Sequence, residues 1–187
     1  MTARRAQPTF ALVLGFAAVA LLLLPFVTSF DDLLTGAAMR FGLDTHISGL
    51  VPAESRMVVA VLNGLGVGAS AHGAYIHVPG LVSALFISWN CLGWQSALLL
   101  GLTMVTGLRG RHTPTAILQV VLAGLLGTFL VNIARVTMVC LLAARAGYVP
   151  ATLFHDYGGT LMLIAWLFVF WAAAYRWVLS EGGRASA

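Results

Sequence analysis

Residues 114–130 read PTAILQVVLAGLLGTFL, a stretch that contains no charged side chain. A proline suits the first turn of a helix, and the stretch approaches the roughly 20 residues that cross the hydrocarbon of a bilayer. The sequence continues through 131–148 as VNIARVTMVCLLAARAGY, with Asn132, Arg135 and Arg145 among its apolar residues. One straight helix over 115–147 would be about 50 Å long, more than the ~30 Å hydrocarbon slab, so we expect it to tilt, break or project outward.

Alternatively, residues 131–147 could form a separate span that crosses back through the membrane. It would bring His155 to the cytoplasmic side, and Arg135 near its middle would cost about 2.5–3.5 kcal/mol on the insertion scale. A position near the outer membrane interface avoids most of that cost. We therefore expect four spans, with 131–148 near the outer face.

The other three predicted spans are the apolar runs 10–27, 91–108 and 157–175. The first could instead be a signal peptide, but its apolar stretch is long for one, which favours a retained anchor. Arginines flank these runs and all fall on one side of a four-span bundle: Arg4, Arg5, Arg109, Arg111, Arg176 and Arg184. The positive-inside rule makes that side cytoplasmic, together with both chain termini.

Composition leads to the same class of protein. The 187 residues are 60 % apolar and 9 % charged, whereas a soluble domain is about 45–50 % apolar and about 25 % charged. So much apolar surface cannot be buried in a chain of this length, which excludes a soluble globule or a disordered chain. The net charge of +4 comes from arginines at the ends of apolar runs and does not indicate a nucleic-acid partner. We predict an all-α membrane protein, a polytopic bundle forming one domain over 1–187.

The long segment before residue 91 is predicted to lie outside the membrane. Apolar residues at helical spacing over 54–65 predict an amphipathic helix in the interface. The glycine-rich stretch 66–80 predicts a short strand or hairpin. His72 and His77 would point to opposite faces of a single strand, so we expect no metal site, and nothing in the sequence indicates a cofactor.

Three chemically distinctive residues fall at one predicted depth: Cys91, Arg135 and His155. A thiolate is a nucleophile, a guanidinium can stabilise an oxyanion, and an imidazole can carry a proton near neutral pH. Asn132 lies one turn from Arg135 and is expected to orient its guanidinium. Asn90 is a candidate cap for a helix that begins at Cys91. Together these residue types predict acyl transfer by a cysteine nucleophile.

Three short motifs carry a family resemblance. CLGWQS over 91–96 resembles the C-x-G-x-x-S segment of the exosortase/archaeosortase family, NIARV over 132–136 resembles its N-x-x-R-[IV] motif, and HDYGG over 155–159 is similar to its H-x-x-x-G motif. Their order and spacing match, and the resemblance covers about 54–178. It implies a membrane cysteine transpeptidase or protease in which Cys91, Arg135 and His155 are catalytic. We expect five further residues either to contact the substrate or to support the three catalytic residues: Asn132, Trp94, Ser96, Asp156 and Gly159.

Two of these supporting residues have plainer interpretations. Ser96 lies one turn into the predicted helix, where packing is the favoured interpretation. Asp156 is the neighbour of His155 along the chain, and adjacent side chains on a helix diverge, so solvent exposure is favoured over contact with the imidazole.

The resemblance also implies a setting for the reaction. Substrates would be exported proteins that end in a short recognition motif, one membrane helix and a basic cluster. A thioester acyl-enzyme would form at the extracytoplasmic side of a bacterial inner membrane, and a glycolipid or polysaccharide acceptor could release the product.

Two other function classes stay open. A small transporter or channel subunit would use Arg135 and His155 along a polar path, although the span centres hold few polar residues. A non-catalytic assembly partner would bind through glycine faces such as Gly124 and Gly127. In this sequence-based interpretation the aromatic residues of the last span face lipid or the interface: Trp166, Phe168, Phe170, Trp171 and Trp177.

Overall fold

The computed structural model describes residues 32–110 and 112–179. The predicted first span, 10–27, lies outside these residues. The described residues up to 43 belong to one compact unit, which is helical over 32–40, and those from 44 onward belong to a second. All elements of the candidate site lie in the second unit.

Four helices dominate the second unit. We label them α1 (Val51–Gly64), α2 (Trp94–Gly107), α3 (Pro114–Ala146) and α4 (Tyr148–Leu179). Shorter helical pieces cover Leu43–Ile47, Ser48–Leu50 and Trp89–Leu92. Among the described residues, α3 and α4 are long and apolar enough to cross a membrane. The α-helical part of the predicted span 91–108 has only 14 residues, because the chain around Cys91 forms a separate turn before α2 begins.

Helix α3 is continuous over 33 residues, so 114–130 and 131–146 form one helix and not two spans. It begins where the sequence predicts: Pro114 occupies the first turn, and the hydroxyl oxygen of Thr113 accepts a hydrogen bond from the backbone N–H of Ala116 at 3.3 Å. That cap satisfies one of the amide groups that a helix start leaves without a partner. Helix α4 is also continuous, with π-helical turns at Phe154–Gly158 and Ala174–Leu179.

Between α1 and α2 lies a three-stranded antiparallel sheet. Its strands are β1 (Ser70–His72), β2 (Tyr75–His77) and β3 (Leu85–Phe86), in that order. The predicted hairpin is confirmed; β3 is an additional strand that the sequence interpretation missed. The prediction that His72 and His77 point apart is wrong, because they lie on paired strands and their ring centroids are 5.7 Å apart.

A first core joins α1, the sheet and α3. Val58 and Leu62 of α1 are fully buried there, together with Ile76 of β2 and with Ile133 and Val136 of α3. Helix α1 is therefore amphipathic, as predicted. Two residues of its apolar pattern, Val58 and Leu62, pack on the sheet and α3 and do not face the membrane interface. Other apolar side chains of the pattern stay exposed: Met57, Val61 and Leu65.

A second core joins α2, α3 and α4 around Leu100, Val120 and Phe170. Glycines let large side chains approach closely: an added Cβ at Gly124 would lie 2.6 Å from Met104, and one at Gly127 would overlap the Trp166 indole. Trp166 also donates a hydrogen bond from Nε1 to Thr128 Oγ1 at 3.0 Å.

The prediction of outward-facing aromatic residues is wrong for part of the last span. The side chains of Phe170 and Trp171 pack inward with Trp166, because glycines on α2 and α3 leave room for large rings. Phe168 and Trp177 are exposed.

The contact at Gly127 generates a stability prediction. We expect Gly127→Ala to lower the free energy of unfolding by about 1–3 kcal/mol, the usual cost of overpacking, because the new methyl group displaces Trp166 from Thr128. Tryptophan fluorescence during denaturant unfolding in detergent measures the change. Gly101→Ala is the control, since an added Cβ there meets no atom within 4 Å; equal stability of both variants would contradict the prediction.

Candidate active site

Cys91 lies in a tight turn just before α2. Trp89–Leu92 forms a 3₁₀ turn, and the backbone N–H of Cys91 donates to the carbonyl of Ser88 at 2.9 Å. Gly93 then takes a left-handed conformation with φ of 72°, which glycine adopts at little cost, and α2 begins at Trp94. The predicted helix start at Cys91 is therefore wrong by one turn, because Gly93 interrupts the helical path.

Two tryptophans brace this turn. The Trp94 indole stacks on Trp89 with ring centroids 5.8 Å apart, and its Nε1 donates to the side-chain oxygen of Asn90 at 3.3 Å. The prediction that Asn90 caps the helix is wrong, since Gly93 occupies the cap position without a side-chain bond. Trp94 supports the backbone that carries the sulfur.

The sulfur of Cys91 has two polar neighbours. His155 Nε2 lies 3.8 Å from Sγ, and the Ser88 hydroxyl lies 3.5 Å from it. Burial raises the pKa of the Cys91 thiol, but the hydrogen-bond contacts with His155 and Ser88 outweigh it and bring the pKa below its ordinary value. The site therefore favours the thiolate, which is the nucleophilic form. Sequence reasoning missed Ser88, although it stands only three residues before Cys91.

His155 is held on its far side by Asp156. The imidazole Nδ1 lies 2.9 Å from Asp156 Oδ1, and both side chains are partly exposed. Asp156 is exposed, as the sequence favours, but it also contacts the imidazole, so the expectation that these neighbours do not meet is wrong. Both residues lie in the π-helical turn Phe154–Gly158. With Nδ1–H donating to the carboxylate, Nε2 is left to accept the thiol proton.

Arg135 reaches the same turn of α4 from α3. Its Nη2 donates to the carbonyl of His155 at 3.5 Å. The side chain passes directly over Gly159, where an added Cβ would overlap Nε. Gly159 thus gives Arg135 the space to reach the carbonyl of His155. Among the residues that the structure describes, Arg135 Nε is buried without a hydrogen-bond partner.

Asn132 contacts Cys91 and not Arg135. Its Nδ2 donates to the carbonyl of Cys91 at 2.7 Å and to Glu54 Oε1 of α1, also at 2.7 Å. The prediction that Asn132 orients the guanidinium is therefore wrong. A Cβ at Gly93 would lie 2.7 Å from Asn132 Cγ, so Gly93 is needed for this contact as well as for its φ angle.

The structure thus brings most of the predicted site residues together. It joins Cys91 with His155, and His155 with Arg135, in one chain of contacts, supported by Asn132, Trp94, Asp156 and Gly159. Ser96 lies half-buried on α2, and no hydrogen bond among the described residues joins it to this site. Glu54 has no sequence signal of its own, because it reaches Asn132 from 78 positions away.

The comparison with protein families covers this whole arrangement. A model of the transmembrane exosortase family matches residues 6–172. The chain belongs to the transmembrane exosortase family. The resemblance stated from the motifs is confirmed, and the matched range includes Cys91, Arg135 and His155. Comparison with curated proteins and comparison with solved structures each find no match.

The contact of Gly93 with Asn132 can be separated from backbone strain. Gly93→Ala is expected to cost about 1–3 kcal/mol more in free energy of unfolding than Gly66→Ala, because its methyl group also displaces Asn132. Gly66 is the matched control, with φ of 80° and no atom within 4 Å of an added Cβ. Denaturant unfolding in detergent measures both variants, and equal losses would show that only the left-handed backbone matters.

The thiol predicts a pH profile. In a Cys140→Ala background, the rate of Cys91 alkylation by iodoacetamide should rise with pH and reach half its maximum below the value of about 8.5 for a free cysteine. His155→Ala should move that midpoint upward, because burial raises the pKa of Cys91 and the opposing contact with His155 is lost. Cys91→Ala in a chain that keeps Cys140 is the control, because Cys140 is 1 % exposed and should label slowly. An unchanged midpoint in His155→Ala would contradict the assigned contact.

Proposed function

We propose that this exosortase is a membrane-embedded cysteine transpeptidase or protease that cleaves the C-terminal sorting tail of exported proteins. The contact of Cys91 Sγ with His155 Nε2 at 3.8 Å, with Asp156 on the opposite ring nitrogen, carries the proposal. It supplies a nucleophile, a base and a group that orients the base, an arrangement that recurs in enzymes that transfer acyl groups. Family membership supports the same reaction class.

The first half of the reaction follows from these contacts. His155 Nε2 takes the thiol proton, and the sulfur of Cys91 forms a bond to the carbonyl carbon of the scissile peptide. The carbonyl oxygen becomes an oxyanion, which the guanidinium of Arg135 stabilises. The carbon–nitrogen bond then breaks, His155 returns its proton to the leaving amine, and a thioester remains on Cys91.

The second half reverses these roles. An acceptor hydroxyl, amine or water gives its proton to His155 and attacks the thioester carbon. The carbon–sulfur bond breaks, and the Cys91 thiolate recovers the proton. The proposed acceptor is a glycolipid or polysaccharide at the cell surface, and water would make the same site a protease.

The proposed setting is the outer face of a bacterial inner membrane. Helices α3 and α4 are long and apolar enough to span it. The apolar run at 10–27 and α2 would complete a bundle of four spans. The proposed bundle is one domain, with its catalytic core near 54–178. Arginines at the run ends favour cytoplasmic termini. Substrates would be proteins that end in a recognition motif, a membrane helix and a basic cluster.

The assembly-partner alternative has less support than catalysis. Its glycine faces at Gly124 and Gly127 are filled by Phe170 and Trp166 of the same chain. Those faces therefore offer no open surface for a second protein. A transporter would need polar side chains along the spans, and the second core of α2, α3 and α4 is apolar.

Replacing the nucleophile tests the proposal in the cells that make this protein. With a chromosomal Cys91→Ala copy, exported proteins that carry a motif, a helix and a basic cluster should keep these tails. Processing should fall about a thousandfold or more, because the thioester cannot form. Mass spectrometry of protein C-termini in the membrane fraction measures the retained tails.

Cys140→Ala is the matched control, because it removes a buried sulfur from the first core and leaves Cys91 in place. It should process tails at the parental level. Identical C-termini in the Cys91→Ala and parental cells, with the variant present in the membrane, would reject the transpeptidase proposal. A mass added at the new C-terminus distinguishes transfer from hydrolysis.

A further inference from the structure

Glu54 is a buried carboxyl group that the proposed reaction steps do not use. It lies in α1 and is only 4 % exposed. A buried carboxyl group is unfavourable unless it has hydrogen-bond or charge partners. The partners of Glu54 therefore indicate what it does in this molecule.

Its first partner is the amide of Asn132. Asn132 Nδ2 donates to Glu54 Oε1 at 2.7 Å and to the carbonyl of Cys91 at 2.7 Å. An amide nitrogen has two hydrogens, so both bonds form at the same time. The Glu54 carboxyl group thus fixes the rotation of the amide that holds the backbone of the nucleophile.

Its second partner is the charge of Arg135, one turn beyond Asn132 on α3. Burial raises the pKa of Glu54 to about 7, although the Arg135 charge and the Asn132 hydrogen bond both lower it. The group therefore holds a proton more readily than an ordinary carboxyl group, and glutamine resembles its uncharged form in shape and polarity. Among the described residues, Glu54 Oε2 has no hydrogen-bond partner, so the contact with Asn132 is the bond that places the group.

We propose that Glu54 is a positioning residue of this exosortase: through the Asn132 amide it holds the Cys91 turn so that the sulfur meets His155. The inference rests on the proposed function for its consequence in catalysis. Its structural part, the placement of the sulfur, does not require a substrate. Glu54 itself does not touch the reacting atoms.

The test uses the full chain in detergent, with Cys140→Ala as background, and iodoacetamide as the probe of Cys91. Glu54→Leu removes the acceptor at similar volume and should slow alkylation at neutral pH about tenfold, because the turn loses its support. Glu54→Gln keeps an oxygen for Asn132 and should react within about threefold of the parent. Glu54→Asp is one methylene too short and should be slow.

Ser55→Ala is the matched control for general damage to α1. Ser55 is fully buried beside Glu54, but its hydroxyl donates to the carbonyl of Val51 in its own helix, at 3.0 Å. It should react at the parental rate. An equal loss of alkylation rate in Ser55→Ala and Glu54→Leu would overturn the proposal, because packing of α1 would then explain both.

A double variant tests whether Glu54 acts through Asn132. If it does, Glu54→Leu combined with Asn132→Ala should react no more slowly than Asn132→Ala alone. Additive losses, or a parental rate in Glu54→Leu, overturn the proposal. Where Glu54→Leu does not fold, the comparison of Glu54→Gln with Glu54→Asp tests the proposal. Parental alkylation rates in both variants, or slow alkylation in both, would overturn it.

Tail processing in cells separates this inference from the proposed function. Slow alkylation of Glu54→Leu with normal alkylation of Glu54→Gln supports the positioning role even where Cys91→Ala leaves all C-termini unchanged. In that case the proposed function fails and the placement of the sulfur stands. Where tails are processed, Glu54→Leu should lower kcat with little change in KM, since the substrate contacts remain.

Discussion

The amide of Asn132 is the contact on which this site depends. Its two hydrogens bind Glu54 of α1 and the carbonyl of Cys91, so one side chain of α3 connects three segments of the chain. The first core, formed by α1, the sheet and α3, holds these segments close enough for both hydrogen bonds to form. A buried amide with one carboxyl partner and one backbone partner is also costly to disturb, because each lost bond leaves a polar group without water. The position of the sulfur therefore follows from the packing of α1 on α3.

Close approach at glycine is the second constraint, and it serves both the site and the spans. Gly93 admits Asn132 and Gly159 admits Arg135, while Gly107 and Gly127 admit the rings of Trp171 and Trp166. Lipid provides no hydrophobic force between helices, so their association depends on tight packing of this kind. The glycines of the two site motifs are thus explained by the side chains that cross them.

The site has a buried side and an exposed side. Glu54 and Asn132 are almost completely buried, whereas the side chains of His155 and Asp156 are 44 % and 47 % exposed. An exposed ion pair adds little to stability, but it can fix the orientation of the imidazole. Cys91 lies between the two sides. An exposed side next to the sulfur supports the proposed reaction, which needs a peptide and an acceptor to reach Cys91.

The sequence alone determined the residue types of the chemistry, the membrane class and the start of α3. These features could be predicted because hydropathy, proline position and motif spacing are local properties. The contact of Asp156 with His155, the hydroxyl of Ser88 near the sulfur, and the one-turn shift of the helix start at Cys91 depended on backbone details that spacing does not specify.

Glu54 and the true partners of Asn132 were decided only by the tertiary structure. Their contacts join residues 78 and 41 positions apart, and such pairs are chosen by how α1 packs on α3. The periodicity of 54–65 predicts a helix with an apolar face, but it does not say what covers that face. A buried polar residue in such a pattern looks the same in the sequence as a solvent-exposed one, because burial is a property of the assembled fold.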